Sequence, residues 1–116
     1  MRAAEVAFVG ALVHSRPWLM PVLQGHLDAN ECLLPHLLLA DIERWAEARL
    51  SSYGGDDSQL KGVFEFLEQG YAVGDPHVEE LISVSFLELL PGPNEPLAEL
   101  RELVGSRLRQ QLDVIG

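Results

Sequence analysis

A single cysteine, Cys32, stands among 116 residues. An internal disulfide framework is therefore excluded, and the fold must rest on its apolar core. A lone thiol fits a reducing cytoplasm, the expected location. Basic residues are also scarce, 8 against 18 acids, which leaves a formal net charge of -10. Such a field repels phosphate backbones and anionic membrane surfaces, so neither nucleic acid nor membrane is an expected partner. The same field speeds encounter with basic proteins, although it also serves solubility alone. No stretch alternates apolar and polar residues long enough to make a strand, and no low-complexity linker divides the chain. The early apolar run VAFVGALV (Val6–Val13) is far too short to span a bilayer. Glu5 interrupts the basic start before it, and His14, Ser15, Arg16 and Pro17 make a poor signal-cleavage site. The run reads as a buried amphipathic helix.

What is present is globular: 47% hydrophobic and 22% charged residues, enough chain for one domain across 1–116. Helix punctuation is frequent, which predicts an all-α bundle of six or seven helices. The first covers Ala3 to His14. Pro17 or Pro21 opens a second that ends near Asn30, and Pro35 opens a third that stops at Gly54 and Gly55. The stretch DDSQ caps a fourth that runs to about Val73. Gly74 ends it, and Asp75-Pro76 starts a fifth that is expected to continue to Leu90. PGPNEP makes a rigid turn. Two short helices follow, Pro96 to Val104 and Ser106 to Ile115.

Rotating each residue by about 100° sorts the faces. Leu60, Val63, Phe64, Leu67 and Tyr71 line one side of the fourth helix, while Phe66 and Val73 suggest a second, smaller contact. On the third helix Leu34, Leu38, Ile42, Trp45 and Arg49 share a line, and His36, Glu43, Arg44 and Glu47 remain for water. On the fifth, Val78, Ile82, Ser85 and Leu89 form the inner face and Glu79, Glu80 and Ser83 the outer one. Ser85 is small enough to let another helix approach, and its hydroxyl is positioned to bond the Leu81 carbonyl. The expected core is Leu38, Ile42, Trp45, Phe64, Leu67, Ile82, Phe86 and Leu89, centred on the third and fifth helices.

Two carboxylates fall between apolar neighbours: Asp41 on the third helix, and Glu88, the one charge in the apolar stretch Val84–Leu90. Each must find a donor or titrate upward, and Arg44, Arg49 and Arg101 are the expected partners. If both faced one cleft they would also suit an acid/base pair in a small hydrolase. No serine stands in a GxSxG elbow, and neither CxxC nor HExxH occurs. His26, Asp28, Cys32 and His36 make the best metal candidate, but Pro35 spoils the helical spacing of the last two. No metal, no other cofactor and no catalytic residue is therefore expected. The acids expected to meet a partner are Glu43, Glu47, Asp56, Asp57, Glu65 and Glu68. Glu79 and Glu80 rank behind them, because they sit where they can stabilise the positive end of the fifth helix.

The stretches LLPHLLLADIERWAE (Leu33–Glu47) and GDPHVEELISVSFLELLP (Gly74–Pro91) resemble a small helical family from bacterial genomes. AFVGALVHSRPWLMPVL and LRELVGSRLRQQL extend the likeness over most of the chain. The family is similar to immunity-type proteins found near polymorphic and contact-dependent toxins. That resemblance implies a non-enzymatic protein that neutralises a toxin domain by masking a basic surface, and it carries over no catalytic residue. The fourth and fifth helices separately resemble one HEAT-type helical pair, which implies an adaptor or regulatory module instead. A single pair does not make a repeat array.

Overall fold

Prolines and short polar caps set most of the helix starts in the computed structural model, which describes residues 2–115. The α-helices are α1 (Ala3–Ser15), α2 (Met20–Asn30), α3 (Pro35–Tyr53), α4 (Ser58–Val73), α5 (Pro76–Ser85) and α6 (Ser106–Ile115). Three 3₁₀ segments join them, Pro17–Leu19, Leu87–Leu89 and Ala98–Leu103, and no strand occurs among the described residues. Pro17 opens the first 3₁₀ segment and Pro21 stands in the first turn of α2, so the two prolines share the work of one start. Asp57 caps α4 by accepting from the Leu60 N–H. Asp75 caps α5 by accepting from the N–H groups of His77 and Val78. Gly54 and Gly74 end α3 and α4 at φ of +83° and +88°, where a side chain would be strained. Asp75→Ala is expected to lower stability by about 1 kcal/mol, with Asp75→Asn nearly neutral, because the cap needs only a side-chain acceptor. Urea denaturation of the two variants checks this.

α5 is the hub. It lies along α3 and also touches α1 and α4, while α6 closes over α4 and the Leu87–Leu89 turn. The core they enclose contains Leu38, Leu39, Ile42 and Ala46 of α3, Leu60, Val63, Phe64 and Leu67 of α4, and Val78, Leu81 and Ile82 of α5. Phe64 meets Phe86 edge to face with ring centroids 5.3 Å apart. A second contact runs along another side of α4, where Gly70 lets the Phe8 ring approach so closely that a Cβ there would lie 2.2 Å from it. Phe66 packs against Phe8 in the same seam and lies under the Arg16 guanidinium. The radius of gyration, 13.2 Å, matches the ~13 Å of a single packed domain this long. No single helix among the described residues is long and apolar enough to cross a membrane.

Several expected positions move. α5 does not reach Leu90: the chain breaks at Phe86 (φ -134°, ψ -61°) and tightens into the 3₁₀ turn. A 3₁₀ turn advances by about 120° per residue against 100° for an α-helix. Leu87 and Leu90 are thereby buried, while Leu89 is left 45% exposed. Glu88 lies on this turn and faces water, so it is not a half-buried carboxylate. Val84 is exposed and Ser83 buried, the reverse of the expected faces, because α6 covers that side and Gln111 donates to the Ser83 hydroxyl. Trp45 is only partly buried, and Val73, expected at a second contact, is exposed.

Candidate functional site

Four of the six acids expected at an interface have structural duties. Glu43 is buried, 2% exposed, in the part of α3 flanked by Leu39, Ala46 and Leu50. Burial, and then the hydrogen bond it shares with the Glu47 carboxyl, raise its pKa to about 8, and its Oε2 has no partner. Asp57 is committed to the α4 cap and to Arg49, whose Nε and Nη2 reach its two oxygens at 2.8 and 3.0 Å. That bidentate bond holds the Asp57 carboxyl below its ordinary value. Glu68 reaches the start of α6, where its oxygens accept from the N–H groups of Arg107 and Leu108. Of the six, Asp56 and Glu65 are the exposed ones, and Asp56 lies within 3.4 Å of the Lys61 ammonium.

The other expected sites resolve as follows. Asp41 pairs with Arg44 and accepts from His26 Nδ1 at 3.3 Å. His26 Nε2 accepts the Leu34 N–H at 3.0 Å, so the proton sits on Nδ1 and the buried ring joins α2 to the start of α3. Arg101 donates to the Pro91 carbonyl rather than to Glu88. Asp28 and Cys32 are exposed, and His36 points elsewhere, so the four candidate metal ligands do not converge. No group of three or more His, Cys, Asp or Glu side chains among the described residues is placed to hold a metal ion.

The structure instead assembles a site on α5 that the sequence ranked second. Glu80 is the shared lip of two hollows. The first, about 440 Å³, lies between the start of α1, the start of α3 and α5, and is lined by Arg2, Glu5, Leu34, Pro35, His36 and Leu37 together with Glu80. The second, about 310 Å³, lies on the other side between the end of α4, α5 and α6, with Tyr71, Glu79, Val84 and Gln111 in its walls. Burial, and then the nearby Glu79 carboxylate, raise the pKa of the Tyr71 hydroxyl. Leu37 is 50% exposed and Val84 44%, so an apolar side chain faces water at each hollow.

Glu5 and His36, two of the residues lining the first hollow, belong to a polar chain that no sequence motif announced. The Ser85 hydroxyl donates to His36 Nδ1 at 2.5 Å, and His36 Nε2 donates to Glu5 Oε2 at 3.1 Å. Glu5 Oε1 also accepts the Arg2 N–H. Ser85 thus bonds His36 rather than the Leu81 carbonyl. The residue types are those of a nucleophilic triad, yet Ser85 is buried and belongs to neither hollow's wall. Both ring nitrogens are occupied, and the three side chains clamp α1, α3 and α5 together. Only the mixed polar and apolar character of the segment around His36 hinted at this clamp.

Fold and site together define an all-α domain with a polar, partly apolar surface built on one central helix. The chain belongs to the family described as Domain of unknown function (DUF7674), whose profile matches residues 9–114. His36, Glu80 and Ser85 lie inside the matched segment, and Arg2 and Glu5 precede it. No curated protein and no solved structure matches the chain.

Proposed function

We propose that this chain is a non-enzymatic protein-binding domain that takes a basic segment of a partner across α5. The observation that carries this reading is Glu80, an exposed carboxylate dividing two hollows that each offer an exposed apolar side chain. The net charge of -10 supports a basic partner, because a complementary field steers encounter and fixes orientation. The inaccessibility of Ser85 and the pairing of Asp41 with Arg44 support a binding rather than a catalytic role. In keeping with the sequence resemblance, the proposed partner is a bacterial toxin domain whose basic cleft the α5 surface covers. Glu79 and Glu80 take over the role first expected of Glu43, Asp57 and Glu68.

The test is kinetic. Glu79→Lys with Glu80→Lys is expected to leave the circular dichroism spectrum nearly unchanged and to lower the melting temperature only modestly, through the lost interaction with the positive end of α5. The pair of changes is expected to slow association with a basic toxin domain that the wild-type chain binds by about tenfold or more at low salt. Added salt is expected to slow the wild type in the same direction. An unchanged on-rate would mean that the acidity serves solubility alone. A toxin that neither binds nor is neutralised by the wild-type chain would remove the immunity reading.

A further inference from the structure

Resting on that binding reading, we propose that the hollow between α1, α3 and α5 receives one long cationic side chain of the partner, a lysine or arginine. Glu80 pairs with its charge at the lip, and Leu34, Pro35 and Leu37 enclose its aliphatic stem. The cavity, about 440 Å³, falls within the ~300–1,000 Å³ range of pockets that hold small ligands. Its walls have the two characters such a side chain needs, since lysine and arginine lay an apolar stem on apolar surface and keep the charged head near polar groups.

The charges in the hollow favour a cation. Of the lining side chains Glu5 and Glu80 are acidic and Arg2 is basic; His36 is already paired with Glu5, which leaves Glu80 as the acid free to meet a cation, within a chain that is itself strongly acidic. The Arg2 guanidinium is drawn toward the start of α5, where Nη1 donates to His77 Nε2 at 3.1 Å. Glu5 is held in place by His36 and by the Arg2 N–H, and a carboxylate oxygen that accepts one hydrogen bond keeps a lone pair for another. This part of the wall is therefore set before any ligand arrives, which reduces the ordering that binding requires. Any segment crossing α5 from the second hollow meets Glu80 first and then this cavity.

The test uses the full chain and two short acetylated, amidated peptides of alanine and leucine, one with a central lysine and one with norleucine in its place. Amide shifts are followed by NMR. The lysine peptide is expected to shift Leu34, His36, Leu37 and Glu80, and to bind about tenfold more tightly than the norleucine peptide. Glu80→Gln is expected to weaken it several-fold. Arg2→Ala is expected to tighten it, because a like charge leaves the rim. Opposite signs for these two variants would mean that the hollow takes an anion, which overturns the proposal. Equal binding of both peptides, with shifts only near Tyr71, Val84 and Gln111, overturns the cationic anchor but leaves docking on α5 standing. If the lysine peptide leaves Leu34, His36 and Leu37 unshifted, the anchor is likewise overturned. Loss of toxin binding in the Glu79→Lys, Glu80→Lys chain is scored separately, so the two readings fail on different results.

Discussion

Ile82→Ala is expected to lower the unfolding free energy by about 2–5 kcal/mol, while Leu89→Ala changes it by no more than about 0.5 kcal/mol. Ile82 is fully buried on α5, the helix that touches α1, α3 and α4, so removing its outer carbons leaves a cavity that no single helix can close. Leu89 stands seven residues later, which in a continuous α-helix would place it on the same face as Ile82. It does not share that fate, because the helix stops at Ser85 and the 3₁₀ turn carries Leu89 outward. Chemical denaturation of both variants measures the contrast. Equal losses would mean that the helix continues, and an unchanged Ile82→Ala midpoint would mean that α5 is not the hub.

Glu43→Gln is expected to remove a pH dependence from the stability of the fold. The ordinary pKa of the group is 4.5 and its folded value is about 8, raised by burial and by the bond to Glu47. Between those values the folded chain binds more protons than the unfolded chain, so stability falls as pH rises. The contribution of the protonated carboxyl is complete below about pH 4.5 and is lost by about pH 8. Its size is on the order of 2–4 kcal/mol across that window. Glutamine keeps a donor for Glu47 and cannot ionise. The variant should therefore match the wild type near pH 5 and exceed it near pH 8, by a few kcal/mol. Urea titrations at a series of pH values give the difference directly, with other ionisable groups cancelling between the two chains. Parallel profiles would mean that Glu43 is hydrated and ionised in the folded protein.

The Glu43 result also marks a limit of reading faces from sequence. Its position on α3 follows Leu39 by one turn and precedes Ala46 and Leu50 by one and two turns, so its angle already lay within the apolar arc. Its charge argued for water, and the charge was the wrong guide because burial raises the pKa of the Glu43 carboxyl and so favours its neutral form. His36 does keep much of its side chain in water, as its position on the face implied, but nothing in the sequence signalled its partners. It has the look of a surface residue on a helix start, yet Glu5 and Ser85 occupy both its nitrogens. On α5, Ser83 was assigned to water and Val84 to a flank, and the packing of α6 exchanged them.

By itself the sequence determined what depends on neighbours within about one helical turn. The all-α class follows from it, as do the starts at Pro35, Asp57 and Asp75, the stops at Gly54 and Gly74, and the inner stripe of α4. These are local matters of caps, fixed φ angles and the 3.6-residue period, and each is written within a few residues. Tertiary structure decided the rest: where α5 ends, which carboxylates are buried, and the two hollows beside Glu80. The clamp beside the first hollow joins Glu5 to His36 across 31 residues and His36 to Ser85 across 49. Nothing local aligns such partners. They meet because α1 and α3 must both bury their apolar faces against α5, and the polar groups caught between those helices then bond to one another rather than remain unpaired.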